Sequence, residues 1–205
     1  MAASDYGGQV FINCPFDGEY ARLFEAIVFA IFDCGFRPRC SLETDDGGQI
    51  RIDKIFSIIS ACRLGIHDIS RTELDTKNTL PRFNMPLELG VFLGAKRYGR
   101  SKQRQKACLI LDRESYRYQK FISDIAGQDI RSHGDDPQEA ITIVRNWLRS
   151  VSPQRPIPGG EAIGNRYRIF RKTMPKMCRR LKWSTSSLTF TDYTWLVAEW
   201  LKEAT

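Results

Sequence analysis

Apolar positions recur along this chain in two alternating rhythms: short β-branched or aromatic runs, and longer stretches whose apolar residues return every three or four positions. The first run, QVFINCPF (residues 9–16), ends on a proline-bearing turn and predicts a buried strand. In the following DGEYARLFEAIVFAIFDCG, Leu23, Phe24, Ile27, Val28 and Ile31 stand at helical spacing, and Gly35 is placed to stop the helix. FRPRCSLE then predicts a weaker second strand, and TDDGGQ a loop. From Ile50 to Cys62, the apolar positions Ile52, Ile55, Phe56, Ile58 and Ile59 predict a second amphipathic helix. RLGIHDIS predicts a third strand, KACLIL a fourth and DIRSHG a short fifth.

Between the third and fourth strands, residues 71–83 have no periodicity, and NMPLELGVFLGAKRYG predicts a helix that is apolar nearly all round. DPQEAITIVRNWLRSV predicts a further helix, with Asp135 or Asp136 near its start. Regular alternation of strands and helices predicts an α/β fold: a flavodoxin-like parallel sheet of about five strands with helices on both faces. SPQRPIPGG, with three prolines and two glycines, reads as a linker and sets a domain edge near residue 153. The α/β domain is thus expected over 1–152, and a C-terminal helical extension over 153–205. At about 50 residues the extension is too short to fold alone, so it predicts an appendage on the sheet or a contact to a second copy or partner protein.

Composition narrows the class. Of 205 residues, 42% are hydrophobic and 27% charged, and the most apolar run is broken by Glu25 and Asp33. No membrane span is expected, and the N-terminus lacks the basic-then-apolar pattern of a signal peptide, which makes the cytoplasm the default location. Six cysteines without paired short spacings, and two histidines, predict reduced thiols and no metal site. The net charge of +7 is concentrated: residues 96–106 hold six basic residues and no acid, and residues 166–182 hold eight and none. Such clusters fit a solvated face or nucleic acid as a partner.

In a parallel sheet, ligands bind beyond the carboxyl ends of the strands. Candidate ligand contacts are therefore Asn13, Phe16 and Asp17 after the first strand, Asp68 and Arg71 after the third, and Arg82 and Asn84 before the following helix. Asn84 is a candidate N-cap with Pro86 in the first turn, which puts Glu88 near the helix start, where the dipole favours an ionised carboxylate. Gly90 and Gly94 offer a face without side chains for close approach. A carboxylate facing a cleft can attack or stabilise an electron-poor sugar carbon. The structural alternative is that Glu88 pairs with Arg82, Arg71 or a basic residue of the extension. His67 reads as a packed core histidine.

The run MPLELGVFLGAKRYGRSKQRQKACLIL resembles the catalytic helix and following strand of the nucleoside 2-deoxyribosyltransferase family. The order of VFINCPF, a long first helix, GGQIRIDKIFSIISACRLGIHDIS and a glutamate-bearing helix is also similar to the bacterial side of the TIR superfamily. The likeness spans about residues 9–112. It implies that Glu88 is the catalytic carboxylate of an enzyme that breaks an N-glycosidic bond, that Asp68 contacts the sugar or base, and that Phe16 lies beside the base. Deoxyribosyltransferases commonly carry an acid six residues before the glutamate, where this chain has Arg82. That departure implies a phosphate-bearing donor, a nucleotide or NAD, held as substrate with no separate cofactor, with Arg82 or Arg71 on the phosphate and Asn84 on the ribose. The resemblance also allows a bacterial defence effector that depletes a nucleotide pool. Two further readings stay open: a TIR-like module that binds nucleotides or proteins without catalysis, and a nucleic-acid binder acting through the basic clusters. The enzyme reading requires Glu88 to face an open cleft with Asp68, and it fails if the sheet separates their carboxyl groups or if Glu88 is ion-paired in the core.

Overall fold

The computed structural model describes residues 5–72 and 82–204. In chain order the elements are β1 (Gln9–Asn13), α1 (Ala21–Asp33), β2 (Arg37–Arg39), α2 (Arg51–Ala61), β3 (Leu64–Asp68), α3 (Asn84–Tyr98) and α4 (Ser101–Arg104). They continue with β4 (Ala107–Asp112), β5 (Ile130–Ser132), α5 (Pro137–Val151), α6 (Gly160–Leu181) and α7 (Phe190–Glu203). The five strands form one parallel sheet in the order β2-β1-β3-β4-β5. This is the flavodoxin-like order, in which the chain leaves β1 toward one edge and resumes at β3 on the other side. The crevice between the carboxyl ends of β1 and β3 is the switch point where such folds bind ligands.

Alternation along each strand assigns the two faces. Val10, Ile12, Leu64, Ile66, Leu109 and Leu111 pack into a cluster with α1 and α5. Phe11 packs with Ile55, Ile58, Ile59 of α2 and Phe92 of α3, while Ile110 and Ile69 pack with Met85 and Leu89 of α3. Local chemistry closes the helices as the residue types dictate. Gly35 takes a positive φ of 78° to end α1. The Asp136 side chain accepts the Gln138 N–H at the start of α5, with Pro137 in its first turn. Thr189 and Asp192 form a reciprocal capping box on α7. Buried Lys106, pushed down to about 8 by burial, donates to the carbonyls of Ile59 and Cys62 at the end of α2.

The residues beyond the proline-rich linker pack as an appendage on the α/β core, against its helices and not directly on the sheet. Helices α6 and α7 lie outside α1 and α5 and share their core: Ile163, Phe170, Leu196, Val197 and Trp200 belong to the same buried cluster as Phe29 and Leu148. The extension is a third layer continuous with the α/β core. The cause is legible in α1, where Ala26 through Ile31 are all buried, so a side of the helix turned away from the sheet also needs cover. In α2 the expected apolar stripe is narrower than its sequence, because Phe56 is exposed and only Ile55, Ile58 and Ile59 are buried. The short α4 carries no apolar face and left no periodic signal. Of the aperiodic segment 71–83, residues 73–81 lie outside the described residues. Among the described residues, no helix is long and apolar enough to cross a membrane.

Candidate functional site at the carboxyl edge of the sheet

Strand β1 delivers Asn13 to the switch point with its side chain on the α3 side, paired in register with His67 of β3. The Asn13 amide donates to His67 Nδ1 at 3.1 Å and to the Met85 carbonyl at 2.8 Å. Because His67 Nδ1 accepts, its hydrogen sits on Nε2, which has no hydrogen-bond partner among the described residues, and the ring packs edge-on against Phe92. Burial drives the His67 ring down to about 3, so it is a neutral packed core residue. Asn13 is therefore already engaged through its nitrogen, and what it does is tie the first turn of α3 to the end of β1. That turn precedes Glu88.

Glu88 is 8% exposed, the single buried charged residue of α3. No hydrogen bond or ion pair to its carboxylate occurs among the described residues, and its oxygens are not among the fully enclosed unpaired atoms. The residual exposure thus reaches the carboxyl group itself. Burial pushes Glu88 up to about 7, opposed by the positive field of Arg51 at the start of α2. This overturns the expectation that the helix dipole keeps it ionised. Glu88 is the fifth residue of α3, beyond the free amides of the first turn, where the dipole's influence has faded and desolvation dominates. The expected cap also shifts: Phe83 is the N-cap, Asn84 is the first helical residue with an exposed side chain, and no side-chain hydrogen bond caps α3. Pro86 remains within the first turn. A Cβ built at Gly90 or Gly94 meets nothing within 4 Å, so no close backbone approach explains either glycine.

Asp68 does not join Glu88. Asp68 is one residue past His67, so it projects to the opposite face of the sheet, toward α1 and α5. There it is 0% exposed and fully used: Oδ2 accepts the Tyr20 hydroxyl at 2.6 Å and His133 Nε2 at 2.9 Å, and Oδ1 accepts the Ser70 N–H at 2.8 Å. His133 Nδ1 accepts the Asp135 N–H, which leaves the ring hydrogen on Nε2 for Asp68. Burial would raise the Asp68 carboxyl, but the donors at His133, Ser70 and Tyr20 outweigh it and hold it below the usual range. Direct contact between Asp68 and a sugar is not what this geometry provides; Asp68 fastens the ends of β3, the α1 entry and the α5 entry together. Replacing it with Ala leaves Tyr20 and His133 unpaired in the core and is expected to cost about 3 kcal/mol at pH 7. A carboxyl held below its unfolded value stabilises above that value and loses its contribution as pH falls through the folded one. Denaturant unfolding at pH 7 and at pH 3 should therefore show the deficit of Asp68→Ala shrinking in acid.

The expected phosphate contacts are also engaged. Arg71 pairs with Glu19 at 2.6 Å, and Arg82 pairs with Asp17 at 3.0 Å. Asp17 in addition accepts the Tyr20 N–H at 2.9 Å, so it serves the α1 entry and the approach to α3 together. Phe16 is 38% exposed on the rim, edge-on to Phe24 at 5.3 Å. It borders a groove of about 300 Å³ whose walls include Leu42, Leu188 and Phe190, so the α7 entry shapes this rim.

Three participants escaped the sequence. Arg51 is the cation whose field reaches Glu88, and it stands beside the predicted Gly-rich loop. Tyr20 and His133 are drawn in by Asp68. Cys14 is buried, and burial, then Asp68, Cys40, Glu88 and Asp17, push its thiol well above the usual range, so it is not a thiolate nucleophile. No cluster of His, Cys, Asp and Glu suited to a metal occurs among the described residues. Compared with protein-family models, with curated proteins and with solved structures, the chain has no match in any of the three.

Proposed function

We propose that the protein cleaves the N-glycosidic bond of a nucleotide or of NAD, with Glu88 as the reacting carboxylate. One observation carries the proposal: a buried carboxyl without a hydrogen-bonding or ionic partner among the described residues, poised near neutrality, at the switch point of a parallel sheet. Structural acids are buried with partners, as Asp68 and Asp112 are; Asp112 pairs with Arg117 at 2.8 Å. A buried acid kept without one destabilises the fold and needs a use.

In this mechanism ionised Glu88 faces the anomeric carbon. The C–N bond breaks with its electron pair leaving on the base, and the carboxylate bonds to or stabilises the electron-poor sugar. Water, or a second base, then takes the sugar and frees the carboxylate. Asn13 positions the Glu88 helix through Met85. Phe16 borders the separate groove between the α1 and α7 entries and is given no role at Glu88, and Arg51 replaces Arg71 and Arg82 as the cation available to a donor phosphate. Asp68, held by Tyr20, Ser70 and His133 on the opposite face of the sheet, counts against the shared-cleft enzyme, and the enzyme reading is revised to rest on Glu88 alone.

The orientation of Asp68 favours a second reading, a TIR-like module that binds a nucleotide without turning it over. A donor panel separates the two. Purified protein and Glu88→Gln are incubated with NAD, nucleoside monophosphates and nucleosides, and free base is measured by chromatography. The enzyme releases base from at least one donor and the variant does not; the module binds a donor and releases nothing.

A further inference from the structure

We propose that the solvent face of α6 docks the phosphate backbone of a nucleic-acid duplex. Helix α6 turns Ile163, Tyr167, Phe170, Met174 and Met177 into the core. Its opposite side exposes Arg168, Lys172, Lys176, Arg179 and Arg180. From Arg168 to Arg180 the helix rises about 18 Å, and its turn of about 100° per residue gathers the five cations into about a third of its circumference. None of the five makes an ion pair among the described residues, and no acidic residue occurs between Glu161 and Asp192. The other arginines of α6 behave differently. Arg166 is tied to Asp33 at 3.2 Å, and Arg171 lies against the Tyr167 ring. Neighbouring arginines are thus neutralised or packed where they serve the fold, while the outward row is left without counter-charges.

The chemistry of the row selects the occupant. A duplex carries about one negative charge per 1.7 Å of axis, so 18 Å of cations faces about ten phosphates. A helix that lies on a membrane inserts its apolar face between lipids, but α6 has committed that face to the core and exposes Ile169 alone. An acidic peptide would need donors around a concavity, and one exposed helix side is convex. Contacts made only by lysine and arginine to phosphates carry no sequence information, so binding is expected to ignore base sequence.

The test is fluorescence anisotropy of a labelled 20-base-pair DNA duplex with the full chain between 50 and 300 mM KCl. Five neutralised phosphates predict a slope of log K against log salt of about −4.5, the same for unrelated sequences. Replacing Arg168, Lys172, Lys176, Arg179 and Arg180 with Gln together should remove binding at 100 mM salt. Its melting temperature should stay near that of the parent, because the five side chains are exposed. No binding at 50 mM salt would overturn the proposal. So would undiminished binding by the five-residue variant together with loss on replacing Lys96, Arg97 and Arg104. Tighter α6-dependent binding to phosphatidylserine vesicles than to the duplex would overturn it in favour of a membrane surface.

Discussion

Glu88→Gln is expected to lose base release by at least about a thousandfold and, at pH 8, to be more stable than the parent. The two effects share one cause. Burial raises Glu88 from its usual 4.5 to about 7. Between those values the native state holds a proton that the unfolded chain has released, so stability falls as pH rises across the interval, and the full cost is present above pH 7. The displacement corresponds to about 3 kcal/mol. Glutamine has nearly the same shape and cannot ionise, so its stability lacks this slope. Urea unfolding of both proteins at pH 5 and pH 8 should show the difference between them moving by about 2.5 kcal/mol in favour of the variant. A difference constant with pH would mean that Glu88 is paired in solution and has the structural role instead.

Removing residues 153–205 is expected to abolish cooperative folding of the remaining chain. Phe29 stacks on Phe170 with ring centroids 5.4 Å apart and lies 5.9 Å from Trp200. With Ile163, Tyr167, Leu196 and Val197, these side chains cover the outer side of α1. Burial contributes about 2 kcal/mol for each large apolar side chain. Losing six of them, and exposing Phe29 and its neighbours, exceeds about 10 kcal/mol, comparable with the whole stability of a domain this size. The truncated chain should lose its near-ultraviolet circular dichroism and its sharp thermal transition. A truncated protein that melts cooperatively near the parent temperature would mean that residues 1–152 fold without the C-terminal helices.

The Pro- and Gly-rich linker marks a break in local geometry and not in packing, since the helices beyond it join the buried cluster of α1 and α5. The uninterrupted burial of Ala26 through Ile31 held the relevant information, since a helix buried beyond one face requires a second layer. The five strands, their parallel pairing and the main helices were legible from periodicity, because alternation of short apolar runs with helical stretches admits few parallel topologies. The site was legible in part. Glu88 stood out as a lone charge in an apolar helix, but its ionisation was misjudged, since helix position and depth act oppositely and only coordinates weigh them. Asp68 and His67 are adjacent in sequence and opposite in space. The period of two decides which turns toward α3, and His67 does, buried between Phe11 and Phe92. Arg51, Tyr20 and His133 could not be found, because their roles arise from elements that sequence does not bring together.

The most direct measurement is the rate of base release from the best donor by the parent protein and by Glu88→Gln between pH 5.5 and pH 8.5. An ionised Glu88 at the anomeric carbon predicts that kcat/KM rises with pH and levels off above an apparent value near 7, with no release by the variant at any pH. No release from any donor at high protein concentration, or equal release by the parent and Glu88→Gln, would contradict the assignment of Glu88 as the reacting carboxylate.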